Sequence, residues 1–142
     1  MMKKNRGFSL IELMVTVAII GILSSIAIPA YSDYVKRGYI VEATNALSSM
    51  RARLEQHYQD NRKYTSVGTT FLSPCSSVPS LQNFTISCSV LTDTTYTITA
   101  TGNASGPVDS FVYTLNQTGA QSTSSPWGNG TNCWITKKGA TC

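Results

Sequence analysis

Gly7-Phe8-Ser9-Leu10-Ile11-Glu12-Leu13 opens an apolar stretch that runs from Phe8 to Ala30, broken by one carboxylate, Glu12. As a helix rising 1.5 Å per residue, a stretch of this length reaches about 35 Å, enough to cross a hydrocarbon core of about 30 Å. Lys3, Lys4 and Arg6 precede it, and such cations stay on the cytoplasmic side of a membrane. A secretory signal peptide shares the basic start and the apolar core, with a small-residue cleavage site after the core. Here the glycine stands before the apolar run, and a glutamate holds the fifth position after it. A carboxylate within a membrane segment costs about 2.5–3.5 kcal/mol on insertion scales, so Glu12 needs a partner or an interfacial position.

Outside this stretch the chain reads as one domain of ordinary size. It has 142 residues, and only 13% are charged against a usual share of about 25%. Serine and threonine fill 36 positions instead. The formal charge of +4 is concentrated before residue 7, which makes it weak support for a nucleic-acid partner. A single histidine, His57, excludes any multi-histidine metal site and reads as a satisfied helix residue. No Gly-rich phosphate loop, paired-carboxylate spacing or metal cluster is present, so neither a catalytic site, a metal nor a cofactor is expected. Cys75, Cys88, Cys133 and Cys142 contain no Cys-x-x-Cys pair and suggest two disulfides in an oxidising compartment. Three pairings are open. Near-neighbour spacing favours Cys75–Cys88 and Cys133–Cys142.

Beyond Pro29 the pattern changes. Ile40, Ala43, Leu47, Met50, Leu54 and Tyr58 recur at helical spacing and predict one buried helical face, ending near Asp60-Asn61. Arg51 and Glu55, four apart, are placed to pair weakly. Gly21 and Pro29 interrupt the apolar segment with residues that weaken or break a helix. Strands with one buried face are predicted where Phe84, Ile86, Cys88 and Val90 alternate with hydroxyl residues, then at Tyr96–Ala100 and Phe111–Leu115. A short fourth strand is expected at Ala120–Thr123. The fold class is α+β: a long N-terminal helix packed on an antiparallel sheet of three or four strands.

Gly7 to Leu13, with the match continuing through Pro29 to Tyr34, resembles the class III signal of type IV prepilins. The resemblance implies cleavage between Gly7 and Phe8, N-methylation of Phe8 by the prepilin peptidase, and retention of the apolar helix. It implies that Glu12 pairs with the Phe8 amine of a neighbouring subunit, and that the stretch between Gly21 and Pro29 loses helicity in the assembled fibre. Leu54–Asn61 with Lys63-Tyr64-Thr65 is similar to PilE-type minor pilins. Four segments follow: a cleaved leader at 1–7, a membrane anchor and filament core at 8–34, an amphipathic half-helix at 35–60, and a head at 61–142. The ladle-shaped pilin fold then carries an αβ-loop over residues 61–83 and a disulfide-closed C-terminal loop.

The expected function is that of a minor type IV pilus subunit serving twitching motility, adhesion or DNA uptake. Its partners are other pilin subunits, the prepilin peptidase, the inner membrane before assembly and the assembly platform there. It ends in an extracellular pilus. The alternatives are a DNA-binding competence receptor, the major pilin and a secretion pseudopilin. For a receptor, Lys137 and Lys138 project from the C-terminal loop as phosphate contacts, Trp134 serves as stacking platform or anchor, and Arg62 and Lys63 extend the patch toward double-stranded DNA.

Overall fold

The computed structural model describes residues 7–142. Lys3, Lys4 and Arg6, and with them most of the expected leader, lie outside the described residues. The chain divides into two compact units, one reaching Tyr34 and one spanning Val35–Cys142.

Helix α1 covers Leu10–Asn61. Its start is set by Ser9-x-x-Glu12: the Glu12 N–H donates to Ser9 Oγ at 3.3 Å, and the Ser9 N–H donates back to Glu12 Oε2 at 3.4 Å. This reciprocal capping box satisfies two amides that a helix start leaves unpaired. The other end closes with Arg62 in the left-handed region (φ 59), its N–H bonded to Tyr58 O at 2.7 Å, a single-bond C-terminal cap.

In the first unit the helix is apolar on all sides, and Phe8, Ile11, Ile22 and Ile28 are exposed in the single chain. It is long and apolar enough to cross a membrane. In the single chain α1 continues through Gly21 and Pro29; the loss of helicity that the resemblance implies there belongs to the assembled fibre. Pro29 has no N–H to give, yet one missing bond is tolerated inside so long a helix.

The second unit carries its own core. Ile40, Ala43, Leu47, Met50 and Leu54 are buried, as their 3–4 spacing requires, and they face a five-stranded antiparallel meander. The strands are β1 (Phe84–Leu91), β2 (Tyr96–Gly102), β3 (Val112–Asn116), β4 (Gln121–Ser125) and β5 (Gly128–Thr131). Register pairs Ile86 with Ala100 and Ala100 with Tyr113, so their side chains share the inner face; Thr85, Thr99 and Thr114 point outward.

Two expectations need correction. A fifth strand, β5, is present; Gly128-Asn129-Gly130-Thr131 offers no apolar alternation by which sequence could find it. Val90 is not on the buried face: a register shift between Cys88 and Val90 pairs it with the outward Thr97 and leaves it 46% exposed. One extra residue in a strand turns every later side chain to the other face.

Disulfides join Cys75 to Cys88 and Cys133 to Cys142. The first ties a short 3-10 turn in the αβ-loop, Pro74–Ser76, to β1. The second closes the C-terminal segment on itself.

Candidate functional site

Three groups of residues are candidates, and each is placed by a different element. The first is Gly7, Phe8 and Glu12 at the N-terminal end of α1. Gly7 and Phe8 precede the helix and are exposed. Glu12 is exposed too, its carboxylate engaged by Ser9, whose hydroxyl lies 3.4 Å from Oε2. The carboxylate therefore has a local partner within its own chain, and the positive end of the helix dipole favours a negative charge there.

The second group is the C-terminal loop. Lys137 and Lys138 are exposed in a turn closed by the Ala140 N–H to Lys137 O bond at 3.2 Å, with Gly139 at φ +78. Before it the chain is pinned inward. The Ile135 N–H donates to Thr123 Oγ1 at 3.0 Å, and the Tyr113 hydroxyl donates to Ile135 O at 2.9 Å. The Trp134 indole N–H donates to Thr114 O at 2.9 Å, and its half-buried ring packs against the core. Trp134 is thus tied to β3 through its indole N–H, with its ring partly buried against the core.

The third group follows the helix. Arg62 is exposed at the left-handed cap, and Lys63 Nζ pairs with Asp93 Oδ2 at 2.8 Å in the β1–β2 turn. Hydrogen bonds from Lys63 and then Thr65 hold the Asp93 carboxyl below its ordinary value. No single patch joins the two basic pairs. Lys63 is tied to the β1–β2 turn, whereas Ile135, two residues before Lys137, lies against Gly128 at the β4–β5 turn. In an antiparallel meander these turns fall at opposite ends of the sheet.

Sequence reading missed a polar node between helix and sheet. Glu55 is not paired with Arg51; it accepts from the Tyr64 hydroxyl at 3.1 Å and the Tyr96 hydroxyl at 2.9 Å. Arg51 instead reaches the β3–β4 turn, where a Cβ on Gly119 would stand 2.9 Å from its Nη1. His57 is satisfied between Thr65 O at 3.0 Å and the Asn61 amide at 3.3 Å, an arrangement that places its proton on Nε2. Among the described residues no group of His, Cys, Asp and Glu side chains could hold a metal ion.

The chain is similar to known proteins in sequence and in fold. Residues 2–28 match the prokaryotic N-terminal methylation motif, and residues 29–124 match the family described as type IV minor pilin ComP, DNA uptake sequence receptor. The fimbrial protein EcpC of Eikenella corrodens is 48% identical over 56 residues, 39% of this chain and 37% of that one. The type IV major fimbrial protein FimA of Dichelobacter nodosus is 47% identical over 64 residues, 45% of this chain and 39% of that one. A fimbrial protein of Pseudomonas aeruginosa is 43% identical over 68 residues, 48% and 44% of the two chains. The match thus spans about two fifths of the length of these relatives. In fold, the crystal structure of the Neisseria meningitidis non-core minor pilin PilV superposes with a TM-score of 0.55 at 18% identity, covering 66% of this chain and 90% of that one. The family is one of structural subunits, not enzymes. The chain belongs to the type IV minor pilin ComP, DNA uptake sequence receptor family and is a type IV pilin subunit.

Proposed function

We propose that this pilin is a DNA receptor of the pilus: a minor subunit whose head binds duplex DNA for uptake. The observation that carries this reading is the family match over residues 29–124, which takes in the second half of α1 and most of the sheet. It favours DNA reception over a general structural or motility role. The head adds exposed cations at Arg62, Lys137 and Lys138, and cations that neutralise phosphates release counterions and so give affinity. The matched residues include Arg62 and Lys63 but stop before Lys137 and Lys138. The two basic ends therefore have different standing, and the test separates them.

The N-terminal steps belong to the same proposal. The prepilin peptidase cleaves between Gly7 and Phe8 and methylates Phe8. The apolar helix then holds the subunit in the inner membrane until the assembly platform passes it into the filament. There Glu12 leaves its Ser9 cap for the Phe8 amine of a neighbouring subunit, and the Gly21–Pro29 stretch loosens in the assembled fibre.

The deciding experiment is fluorescence anisotropy of duplex DNA with the full chain in detergent, across a salt series. A receptor shows affinity that falls linearly in log–log form with salt. Lys137→Ala with Lys138→Ala, and separately Arg62→Ala with Lys63→Ala, each lower the slope by about one for every phosphate that the removed cations neutralise. Absence of salt-dependent binding by the unaltered chain returns the protein to a purely structural role.

A further inference from the structure

The chain has seven tyrosines, and Tyr39, Tyr58, Tyr64, Tyr96 and Tyr113 pack into the head. Tyr31 and Tyr34 do not. They stand in the first unit, three residues apart and so on one side of the helix, with 71% and 73% of their surface exposed. Among the described residues neither hydroxyl has a hydrogen-bond partner. A tyrosine of the core has one, as Tyr113 has in Ile135 O at 2.9 Å. Two aromatic side chains are thus left unpacked directly after the apolar run that ends at Ala30.

Their distance from Glu12 says what covers them. Between Glu12 and Asp33 the sequence holds no charged residue. At 1.5 Å per residue, Tyr31 lies about 29 Å along the helix from Glu12, and Tyr34 about 33 Å. The hydrocarbon core of a bilayer is about 30 Å thick, so a helix with Glu12 at one face brings both rings to the other. Thr16 and Ser25 do not oppose this placement. The Thr16 hydroxyl donates to Leu13 O at 2.8 Å and the Ser25 hydroxyl to Ile22 O at 2.7 Å, so neither needs a partner from outside the helix.

Tyrosine suits such a boundary because its ring is apolar and its hydroxyl is polar, and each prefers a different side of it. We propose that Tyr31 and Tyr34 form an aromatic belt in the lipid headgroup layer across the membrane from Glu12, and that this belt fixes the depth of the anchor helix before assembly. The occupant of this face is lipid, in the bilayer that the apolar run already crosses. Depth fixed in this way keeps the Glu12 carboxylate in the opposite headgroup layer, where a charge avoids the cost it meets at the bilayer centre. The inference deepens the membrane-held stage proposed above and rests on it; DNA reception plays no part in it.

The test reconstitutes the full chain in phosphatidylcholine liposomes and reads helix depth by spin-label spectroscopy. A nitroxide is attached at Ile22→Cys, midway between Glu12 and the tyrosine pair. The four native cysteines are disulfide-bonded, so the introduced thiol is labelled alone. In the otherwise unaltered chain the label should sit at the bilayer centre, open to oxygen and shielded from a water-soluble nickel chelate. Tyr31→Ala with Tyr34→Ala should move it off centre by about 3 Å or more, the rise of two residues. Tyr31→Trp with Tyr34→Trp should restore the central value, because tryptophan favours the same boundary. Neither tyrosine belongs to the core of the head, so the variants leave the head folded. A label whose depth is the same in the alanine pair overturns the proposal, and so does a tryptophan pair that fails to restore it. Failure of the unaltered chain to float with the liposomes overturns the membrane-held stage itself, whereas flotation with an unmoved label overturns the belt alone.

Discussion

The Tyr96 hydroxyl donates to the Glu55 carboxylate at 2.9 Å, joining the first residue of β2 to the helix across 41 positions of sequence. Tyr64 brings the αβ-loop to the same carboxylate, stacking on Tyr58 at 4.6 Å and meeting Tyr96 edge-on at 4.7 Å. One half-buried carboxylate thus fixes helix, loop and sheet together. Glu55→Ala strands two buried hydroxyls and should cost about 1–3 kcal/mol, with Tyr96→Phe nearer 1 kcal/mol. Urea unfolding of the variants measures both. A Glu55→Ala midpoint equal to that of the unaltered chain would show that water replaces the carboxylate.

The same node predicts an alkaline limit to stability. Burial, then the hydrogen bond to Glu55, pushes the Tyr64 hydroxyl from 10.0 up to about 12. Burial raises Tyr96 and Tyr113 as well. A group whose folded value is raised stabilises the fold fully below its unfolded value and loses that contribution as pH climbs through the folded one. The tyrosine contribution to stability should therefore be level below pH 10 and decline from about 10 to 12 and beyond. Spectrophotometric titration should show some of the seven tyrosines ionising late. Uniform ionisation near 10 with the fold intact would contradict this.

What sequence could show was whatever repeats at short range. The apolar run from Phe8, the 3–4 spacing of Ile40 through Leu54 and the alternation in β1 to β3 are local patterns, and within the head burial follows the last two. The bulge that turns Val90 outward inserts one residue without changing composition, so the alternation continues in the sequence after the register has shifted. β5 is glycine- and asparagine-rich and forms because β4 offers an edge, which is a tertiary cause. The Glu55 node and the Lys63–Asp93 pair join residues that lie far apart in the chain. Spacing alone suggested Arg51 as the partner of Glu55, and only the folded geometry shows Arg51 at the β3–β4 turn.

Two glycines are fixed by close approach and not by backbone angle. A Cβ on Gly102 would stand 1.8 Å from Val108 O, and one on Gly130 would stand 2.6 Å from Cys142 Sγ. Gly102→Ala pushes backbone against backbone and should cost at least the upper part of the usual range of about 1–3 kcal/mol for overpacking. Gly130→Ala acts more locally, forcing the Cys133–Cys142 closure to shift. Limited proteolysis should then cut the C-terminal loop of Gly130→Ala while sparing the rest of the head. Equal resistance in both variants would sink the distinction.

Glu12 has two roles that one substitution can separate. In the single chain it completes the capping box with Ser9, and in the filament it is proposed to meet a neighbour's Phe8 amine. Glu12→Gln keeps an acceptor for the Ser9 N–H but loses the charge. Breaking a buried charge pair from one side costs about 3–5 kcal/mol. Cells carrying Glu12→Gln should therefore process the subunit normally yet incorporate far less of it into sheared filaments. Quantitative mass spectrometry of cell and filament fractions reads both steps. Normal incorporation would remove the charge from the assembly mechanism.

The Lys63–Asp93 pair gives the sharpest test of where DNA binds. Asp93 takes both Lys63 and the Thr65 hydroxyl, so part of the positive charge at this end of the sheet is neutralised within the head. Asp93→Asn preserves an acceptor for Thr65 and leaves the backbone bond from the Tyr64 N–H to Asp93 O intact, while releasing the lysine charge. If Lys63 contacts phosphate, the variant should bind duplex DNA more tightly at low salt. Its log–log salt dependence should steepen by about one unit. Adding Lys63→Ala should cancel both gains. Unchanged affinity in Asp93→Asn, with weaker binding in Lys137→Ala/Lys138→Ala, would instead assign the DNA to the C-terminal loop, at the far end of the sheet.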